Sequence, residues 1–501
     1  MPTPSLLLGI DQGSSGSRAL LLDLDGHVRG YGYRPLARLY PRPGWVEQDP
    51  HAVTQGVAEA ITEAIGQAEC QPADIAACGI ASQRNTEFIW DTHTLRPYST
   101  AITWQDLRTE PMVAEEINHW ATPSEYRTRL GFFPGPYSTA LHLAWRMRHD
   151  PEFARLACDG KLHTGFSAEW LVMSLGRATG HFMDTSLVQA GGLYDFRAGD
   201  YWQEWLDFLN VPRALLPAPR PTLAEYGVIG VISPSGVRAE IPVRAMIGDQ
   251  QGALFGYDCR TPGDAECTHG TASFVNVCIG ETPSQQTNLN VYHAWEITRP
   301  NFCLEADTTV TGAALRWMRE HARFLDDETE VGPLAATVPD TGGVMFVPAF
   351  TGLNVPHHDR AARATLVGMT LSTTRAHIAR AFLASIGFQI RAILDTIRED
   401  TGLSVQKLHV GGGLSASDEA CQIQADLTGL PIIRPEFAQT TARAAALLAG
   451  LGAGVFARER DLPPLPGGRR VFEPGISAEA REEAFGEWQK AIRLVREWGA
   501  V

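Results

Sequence analysis

Short apolar runs that stop at glycine or aspartate alternate with longer stretches in which apolar residues recur at helical spacing, a pattern that predicts layered α/β structure. Residues 6–9 read as a buried strand running out into Ile10-Asp11-Gln12-Gly13-Ser14-Ser15-Gly16-Ser17-Arg18. Residues 18–25 predict its hairpin partner, broken at Asp25-Gly26. About half a chain later, residues 241–246 predict a second strand of this kind, ending at Ile247-Gly248-Asp249-Gln250-Gln251. Residues 265–270 and 272–279 predict a strand pair bent at Gly270-Thr271. Residues 407–410 predict a strand that enters Gly411-Gly412-Gly413, with a helix starting near Asp418. Two long helices are expected at 376–400 and 477–498, the second capped by Ser477. Its stripe of Phe485, Trp488, Ile492, Val495 and Trp498 reads as core or domain-docking surface, and residues 463–474 as a surface connection before it.

The chain's 501 residues exceed one ordinary core, so two domains of about 250 residues each are expected. The 44% hydrophobic and 20% charged composition is that of a soluble globular protein. A net charge of −15 with no compensating basic stretch argues against a nucleic-acid or membrane-surface partner. No signal-peptide pattern is visible, and no apolar run is long enough to span a bilayer. The eight cysteines are scattered singly and read as reduced thiols of a cytoplasmic enzyme.

Two acids on two strand ends, Asp11 and Asp249, suggest a cleft for a metal and a nucleotide. In the loop from Gly9 to Arg18, glycine and serine let backbone amides and hydroxyls wrap a phosphate, and Arg18 adds a fixed positive charge. The spacing fits neither the Walker pattern nor a dinucleotide fingerprint, and an ordinary turn is the plain alternative. Asp11 favours the phosphate reading, because an acid beside a phosphate cradle calls for a cation between them. The segment His269-Gly270-Thr271-Ala272-Ser273-Phe274 and the run Gly411-Gly412-Gly413 offer two further tight backbone approaches. Taken singly, they read equally as a hairpin and a strand-to-helix loop.

The order of these segments resembles the FGGY carbohydrate kinases, and within them the glycerol kinases. The resemblance is carried by Gly9-Ile10-Asp11-Gln12-Gly13-Ser14-Ser15, Gly44-Trp45-Val46-Glu47-Gln48-Asp49-Pro50, Ser82-Gln83-Arg84 and Thr103-Trp104-Gln105-Asp106. It continues in Pro136-Tyr137-Ser138, Gly248-Asp249-Gln250-Gln251, the stretch 346–353 and Gln422-Ile423-Gln424-Ala425-Asp426. It implies two ribonuclease-H-like α/β domains of the actin and hexokinase type, 1–252 and 253–501, with ATP and a small polyhydroxy substrate meeting in the cleft between them. By the same resemblance Asp249 is the catalytic base, and Asp11 and Asp249 hold Mg2+. Gly13, Ser14, Ser15, Arg18, Gly270, Thr271, Gly312, Arg316, Gly412, Gly413 and Ser417 fall where the family binds the nucleotide. Arg84, Asn85, Trp104, Tyr137, Gln250 and Phe274 fall, with Asp249, where it binds the polyol. The family implies a homodimer or homotetramer.

An aspartate with a pKa of about 4 cannot deprotonate an alcohol of about 16 in the ground state. In a loose phosphoryl-transfer transition state it need only orient the hydroxyl and take its proton as the bond forms. The departures from the family bear on substrate: Asn85 stands where glycerol kinases have Glu. An Asn NH2 suits a ketone oxygen or an additional hydroxyl, which brings in four- and five-carbon polyols and ketoses as alternatives to glycerol. Glu87, two positions on, is expected to share a strand face with Asn85 and to rebalance Arg84. Ala272, Gly411, Ser417, Arg316, Ala364 and Ala384 also depart from the family and bear on nucleotide contacts. His357-His358-Asp359 looks like a metal cluster, but adjacent side chains on an extended loop point apart. Two readings of other classes stand beside the kinase: an actin-like ATPase, and a polyol-binding protein without catalysis.

Overall fold

The computed structural model describes residues 5–284 and 287–499. The chain forms two compact units. The first comprises Met1–Asp258, Val291–Phe302 and Gln439–Pro466, and the second comprises Cys259–Asn290, Cys303–Ala438 and Gly467–Val501. The expected division at 252/253 falls close to the first boundary, but the chain returns to the first unit twice. The reason for the later return is the alanine-rich helix Thr440–Gly452, whose small side chains let it pack on the first unit's sheet.

The first unit is built on a seven-stranded sheet. Its strands are β1 Leu6–Gln12, β2 Gly16–Asp23, β3 Val28–Pro35, β4 Ile75–Ser82, β5 Gly176–Ala178, β6 Leu223–Ile232 and β7 Arg238–Gly248. They lie in the order β3-β2-β1-β4-β7-β6-β5. β1 and β2 pair antiparallel as the sequence predicts, whereas β1, β4 and β7 run parallel, which needs crossovers and buries both faces. β1 is accordingly buried throughout except at Asp11. In register, Gln12 pairs with Ser82 and Ser82 with Gly248, so three parallel strands end level with one another. The carboxyl ends of parallel strands are where such sheets present ligand sites. Two glycines set how closely Thr440–Gly452 approaches: a Cβ on Gly9 would stand 1.9 Å from the Ala442 carbonyl oxygen, and one on Gly79 1.9 Å from that of Ala445.

In the second unit the strands are β8 Ala265–His269, β9 Ser273–Gly280, β10 Pro300–Asp307 (of which 303–307 fall in this unit), β11 Leu408–Gly412, β12 Ile432–Pro435 and β13 Arg469–Phe472. Their order is β10-β9-β8-β11-β12-β13, and the parallel pair β8 and β11 ends with His269 opposite Gly412. The predicted helices appear at Arg375–Thr401, Asp418–Thr428 and Ala478–Gly499. Trp488 stacks on Phe388 at 5.3 Å and Phe485 lies 6.2 Å from it, so that part of the aromatic stripe is core, while Trp498 is exposed. Among the described residues, no helix is long and apolar enough to cross a membrane.

Candidate active site

In the first unit the level ends of β1, β4 and β7 bring together residues that lie far apart in the sequence. Asp11 sits at the end of β1, and Arg18 on β2 reaches across the hairpin to place Nη1 3.2 Å from Asp11 Oδ2. Burial pushes the Asp11 carboxyl above its ordinary range, and the charge and hydrogen bond of Arg18 pull in the other direction. Asp249 follows β7 as the first residue of the helix Asp249–Gly256, where the unpaired amides favour a carboxylate. Its Oδ1 accepts the N–H of Gln250 at 2.9 Å and lies 3.8 Å from Arg84 Nε. The Arg84 guanidinium also covers the Tyr292 ring at 4.8 Å.

Buried amides hold the glycine-serine loop. Gln83 Nε2 donates to Gln48 Oε1 at 2.8 Å, Gln48 Nε2 donates to the Ser14 carbonyl at 3.0 Å, and the Trp104 indole donates to Ser14 Oγ at 2.7 Å. Much of the segment 44–50 is thus structural. Gln48 braces the loop, Asp49 caps the helix Pro50–Gln67, and Glu47 pairs with Arg108, whose guanidinium lies 3.7 Å from the Trp45 ring centroid. Tyr137 donates its hydroxyl to the Phe133 carbonyl at 2.8 Å.

The expectation for Glu87 fails. β4 ends at Ser82, and Asn85 has a φ of +57°, so the alternation of an extended strand does not hold across 85–87. Glu87 is fully buried and its Oε1 takes the Arg146 Nε at 2.5 Å, so its charge is matched to Arg146. Asn85 is turned toward another element, with its Oδ1 accepting the backbone N–H of Thr139 at 3.1 Å.

A network that the sequence did not signal lies behind Asp249. The buried Asp184 carboxylate accepts the Ser186 hydroxyl and amide and the Thr222 hydroxyl, and Ser186 Oγ in turn accepts the Gly248 N–H at 3.0 Å. Desolvation raises Asp184 to about 7. Ser186 therefore fixes the peptide that carries Asp249. Ser186→Ala would leave the Gly248 amide buried without an acceptor, at about 1–3 kcal/mol. We expect kcat to fall about tenfold with the substrate KM little changed, measured by steady-state kinetics.

The second unit holds a cavity of about 730 Å³ lined by Gly270, Thr271, Gly312, Arg316, Gly413 and Ser417 among others, a volume that suits a nucleotide. Six of the residues expected at the nucleotide thus share one cavity. Gly412, also expected at the nucleotide, is absent from the lining; its φ is +83°, and a Cβ there would stand 2.1 Å from the His269 carbonyl oxygen, so its glycine is required by the close approach of β11 to β8. The Gly270-Thr271 turn is pinned by Gly312 N–H on the Gly270 carbonyl at 3.0 Å and Thr311 N–H on that of Thr271 at 2.8 Å. Ser417 caps the helix Asp418–Thr428. Phe274, expected at the polyol, stands half-buried on β9 of this unit and is absent from the cavity lining.

His269 supports the turn from below. Its Nε2 faces Gln424 Oε1 at 3.2 Å and its Nδ1 lies 2.7 Å from Ser273 Oγ, which is 2.6 Å from Thr311 Oγ1. Burial lowers its pKa to about 4, so the ring is neutral near pH 7, with Nε2 donating to Gln424 and Nδ1 accepting from Ser273. The sequence placed His269 and Gln424 in motifs but gave no sign that they touch. His269→Ala is expected to raise the KM for ATP about tenfold by releasing the turn, with acceptor KM unchanged; nucleotide titration checks it. His358 and Asp359 are engaged separately, with the Asn288 carbonyl and Arg496.

Residues 6–256 match the N-terminal domain of the FGGY family of carbohydrate kinases, and residues 265–453 match its C-terminal domain. The chain is 38% identical over 504 residues to a glycerol kinase of Bordetella parapertussis, covering 99% of this chain and 98% of that one. It is 35% identical over 493 residues to glycerol kinase 2 of Sulfolobus acidocaldarius, covering 98% of each. The crystal structure of Plasmodium falciparum glycerol kinase with ADP is similar at a TM-score of 0.89 and 26% identity, over 98% of each chain. A xylulose kinase from Rhodospirillum rubrum shares the fold at a TM-score of 0.85 and 20% identity, over 99% of this chain and 100% of that one.

Proposed function

The chain belongs to the FGGY family of carbohydrate kinases, two-domain α/β enzymes that phosphorylate an alcohol, and from that premise we propose that it converts glycerol and ATP to glycerol 3-phosphate and ADP. The observation that carries this reading is the meeting of Asp11, Arg84 and Asp249 at the level ends of three parallel strands. An actin-like ATPase has no use for an arginine held beside the Asp249 carboxylate.

In this reading Asp249 accepts the proton of the attacking hydroxyl as its oxygen bonds to the γ-phosphorus. The bond from that phosphorus to the β–γ bridging oxygen breaks, ADP leaves, and the proton passes from Asp249 to solvent. Arg84 fixes the carboxylate and donates to a substrate oxygen, while Trp104 and Tyr137 present ring faces to the carbon chain. Ser14, Ser15 and Arg18 offer phosphate oxygens hydroxyls, amides and one fixed charge, and Gly270 and Thr271 offer backbone amides and a hydroxyl. Arg316, Gly413 and Ser417 hold the rest of the nucleotide. Because little covalent chemistry is asked of the protein, alignment and charge neutralisation carry most of the rate.

Asp11 and Asp249 are the carboxylates that would hold Mg2+. Asp11 fits that role, since its burial disfavours a charge that, among the described residues, only Arg18 balances. Bound Mg2+ would neutralise charge on the β- and γ-phosphates. A cytoplasmic location is part of this reading, supported by cysteines that are scattered singly along the chain. The reading is tested by ADP release with ATP, Mg2+ and a panel of glycerol, erythritol, erythrulose, xylulose and ribulose. Turnover led by glycerol is the expected result; silence across the panel would favour the non-catalytic polyol-binding alternative.

A further inference from the structure

We infer that the first unit carries a second ligand site, which takes a compact organic cation: an ammonium group on a small apolar body. The site is a cavity of about 280 Å³ lined from the strands Phe88–Asp91 and Leu162–Gly165, the helix Ser167–Leu175 and the edge strand β5. Its inner end is closed by the buried Trp90, Glu169, Tyr226 and Met246, and its mouth is framed by the exposed Leu95, Arg177 and Gly180. None of Asp11, Arg84, Trp104, Tyr137 and Asp249 lines it. Glu169 is 5% exposed and stands in the first turn of its helix, where Oε2 accepts the Phe166 N–H at 2.7 Å. The other oxygen, Oε1, is buried with no hydrogen-bond partner among the described residues. An open buried acceptor costs about 1–3 kcal/mol, and more where the group is charged. Capping the helix uses Oε2 alone, which leaves Oε1 to an occupant of the cavity that Glu169 lines.

The walls decide the class of that occupant. Trp90 stands edge-on to His181 at 5.6 Å and to His163 at 6.2 Å, and the two imidazoles stack at 3.8 Å. Desolvation lowers the pKa of both, that of His181 to about 3, so neither ring carries a charge near pH 7. His181 Nε2 lies 2.7 Å from the Thr164 carbonyl and must donate there, so its Nδ1 can only accept. Phe182 and Tyr226 add further aromatic rings. Arg177 is the one fixed positive charge in the lining, and it is 73% exposed and 3.4 Å from Glu240. Arg220, outside the lining, lies 3.6 Å from the Phe182 ring centroid. Aromatic rings, neutral acceptors and one desolvated carboxyl suit a cation, which ring faces attract and the carboxylate pairs, and the volume limits it to a small molecule.

The test is isothermal titration calorimetry of the full chain with benzylamine, charged at pH 7, and with benzyl alcohol, its neutral counterpart. Burial raises the Glu169 carboxyl to about 8, so in the empty site it is protonated at pH 7. A cation that holds it as the carboxylate releases about one proton, read as a binding enthalpy that varies with the buffer's ionisation enthalpy. Benzylamine is expected to bind with that proton release and without displacement by saturating ATP and glycerol. Glu169→Gln, whose amide oxygen still accepts the Phe166 N–H, is expected to weaken benzylamine at least about tenfold, remove the proton release and leave benzyl alcohol unchanged. If thermal melting shows that variant unfolded, Ala178→Leu, which fills the cavity from a half-buried position on an edge strand, is expected to weaken both probes. The site is overturned by the absence of benzylamine binding at about 10 mM, or by its displacement by ATP or glycerol. Wild-type affinity for benzylamine in folded Glu169→Gln, or for both probes in Ala178→Leu, overturns it equally. The kinase reading stands or falls separately, because no residue assigned to that reaction lines the cavity.

Discussion

Asp249→Asn is expected to lower kcat by about 10²–10⁴-fold while leaving nucleotide binding intact. The exchange is nearly isosteric, and an asparagine Oδ1 would still accept the Gln250 N–H that the aspartate accepts at 2.9 Å. The helix start and the level end of β7 are therefore preserved. What is lost is the acceptor for the hydroxyl proton and the negative charge 3.8 Å from Arg84. The amide cannot take up that proton at neutral pH, so the nucleophile must shed it to water after attack. Nucleotide binding is spared because Asp249 is not among the residues that line the cavity assigned to it. Steady-state kinetics with a separate ATP titration decide the matter. A variant with wild-type turnover would remove Asp249 from the role of base.

Gly79→Ala is expected to have the largest effect on folding, at least about 3 kcal/mol. Gly79 lies mid-strand in β4 and pairs with Gly9 of β1, so at this level two adjacent central strands carry no side chain on the helix-facing side. The helix Thr440–Gly452 occupies that space with its backbone. An added methyl would stand 1.9 Å from the Ala445 carbonyl oxygen and 2.6 Å from its carbon, distances that no rotamer relieves because both partners are main chain. Either the helix lifts from the sheet or the strand leaves its register, and both uncover buried apolar surface on that face, such as Leu7 and Ala81. A fall in Tm of roughly 5–10 °C, or loss of folded protein on expression, is the expected outcome. An alanine variant that melts with the wild type would show that the helix does not press on the sheet at this point.

The same glycines mark the limit of what could be read from the sequence. Gly9 was legible as part of a phosphate-loop motif, yet its tightest constraint is packing against a helix more than 400 positions later. Asp249, Asp11 and Arg18 were legible because an acid after an apolar run and a glycine-serine turn are local signals. Arg84 and Asn85 were named through resemblance, and the reading of residue 87 failed where a single left-handed residue broke the strand period. Ser186, Asp184 and Gln424 carried no signal as supports, since their function lies in contacts between residues 38 to 155 positions apart.

The sequence by itself determined the alternation of strands and helices, the two acidic strand ends and the glycine-rich turns, because each depends on side-chain period or on backbone freedom within a few residues. Family membership followed from the order of those segments. Only the tertiary structure decided that β1, β4 and β7 end level, that the chain returns to its first unit through Thr440–Gly452, and which way the Asn85 amide faces. Those features depend on strand pairing, helix packing and one hydrogen bond between distant segments, and distance along the chain carries no information about any of them.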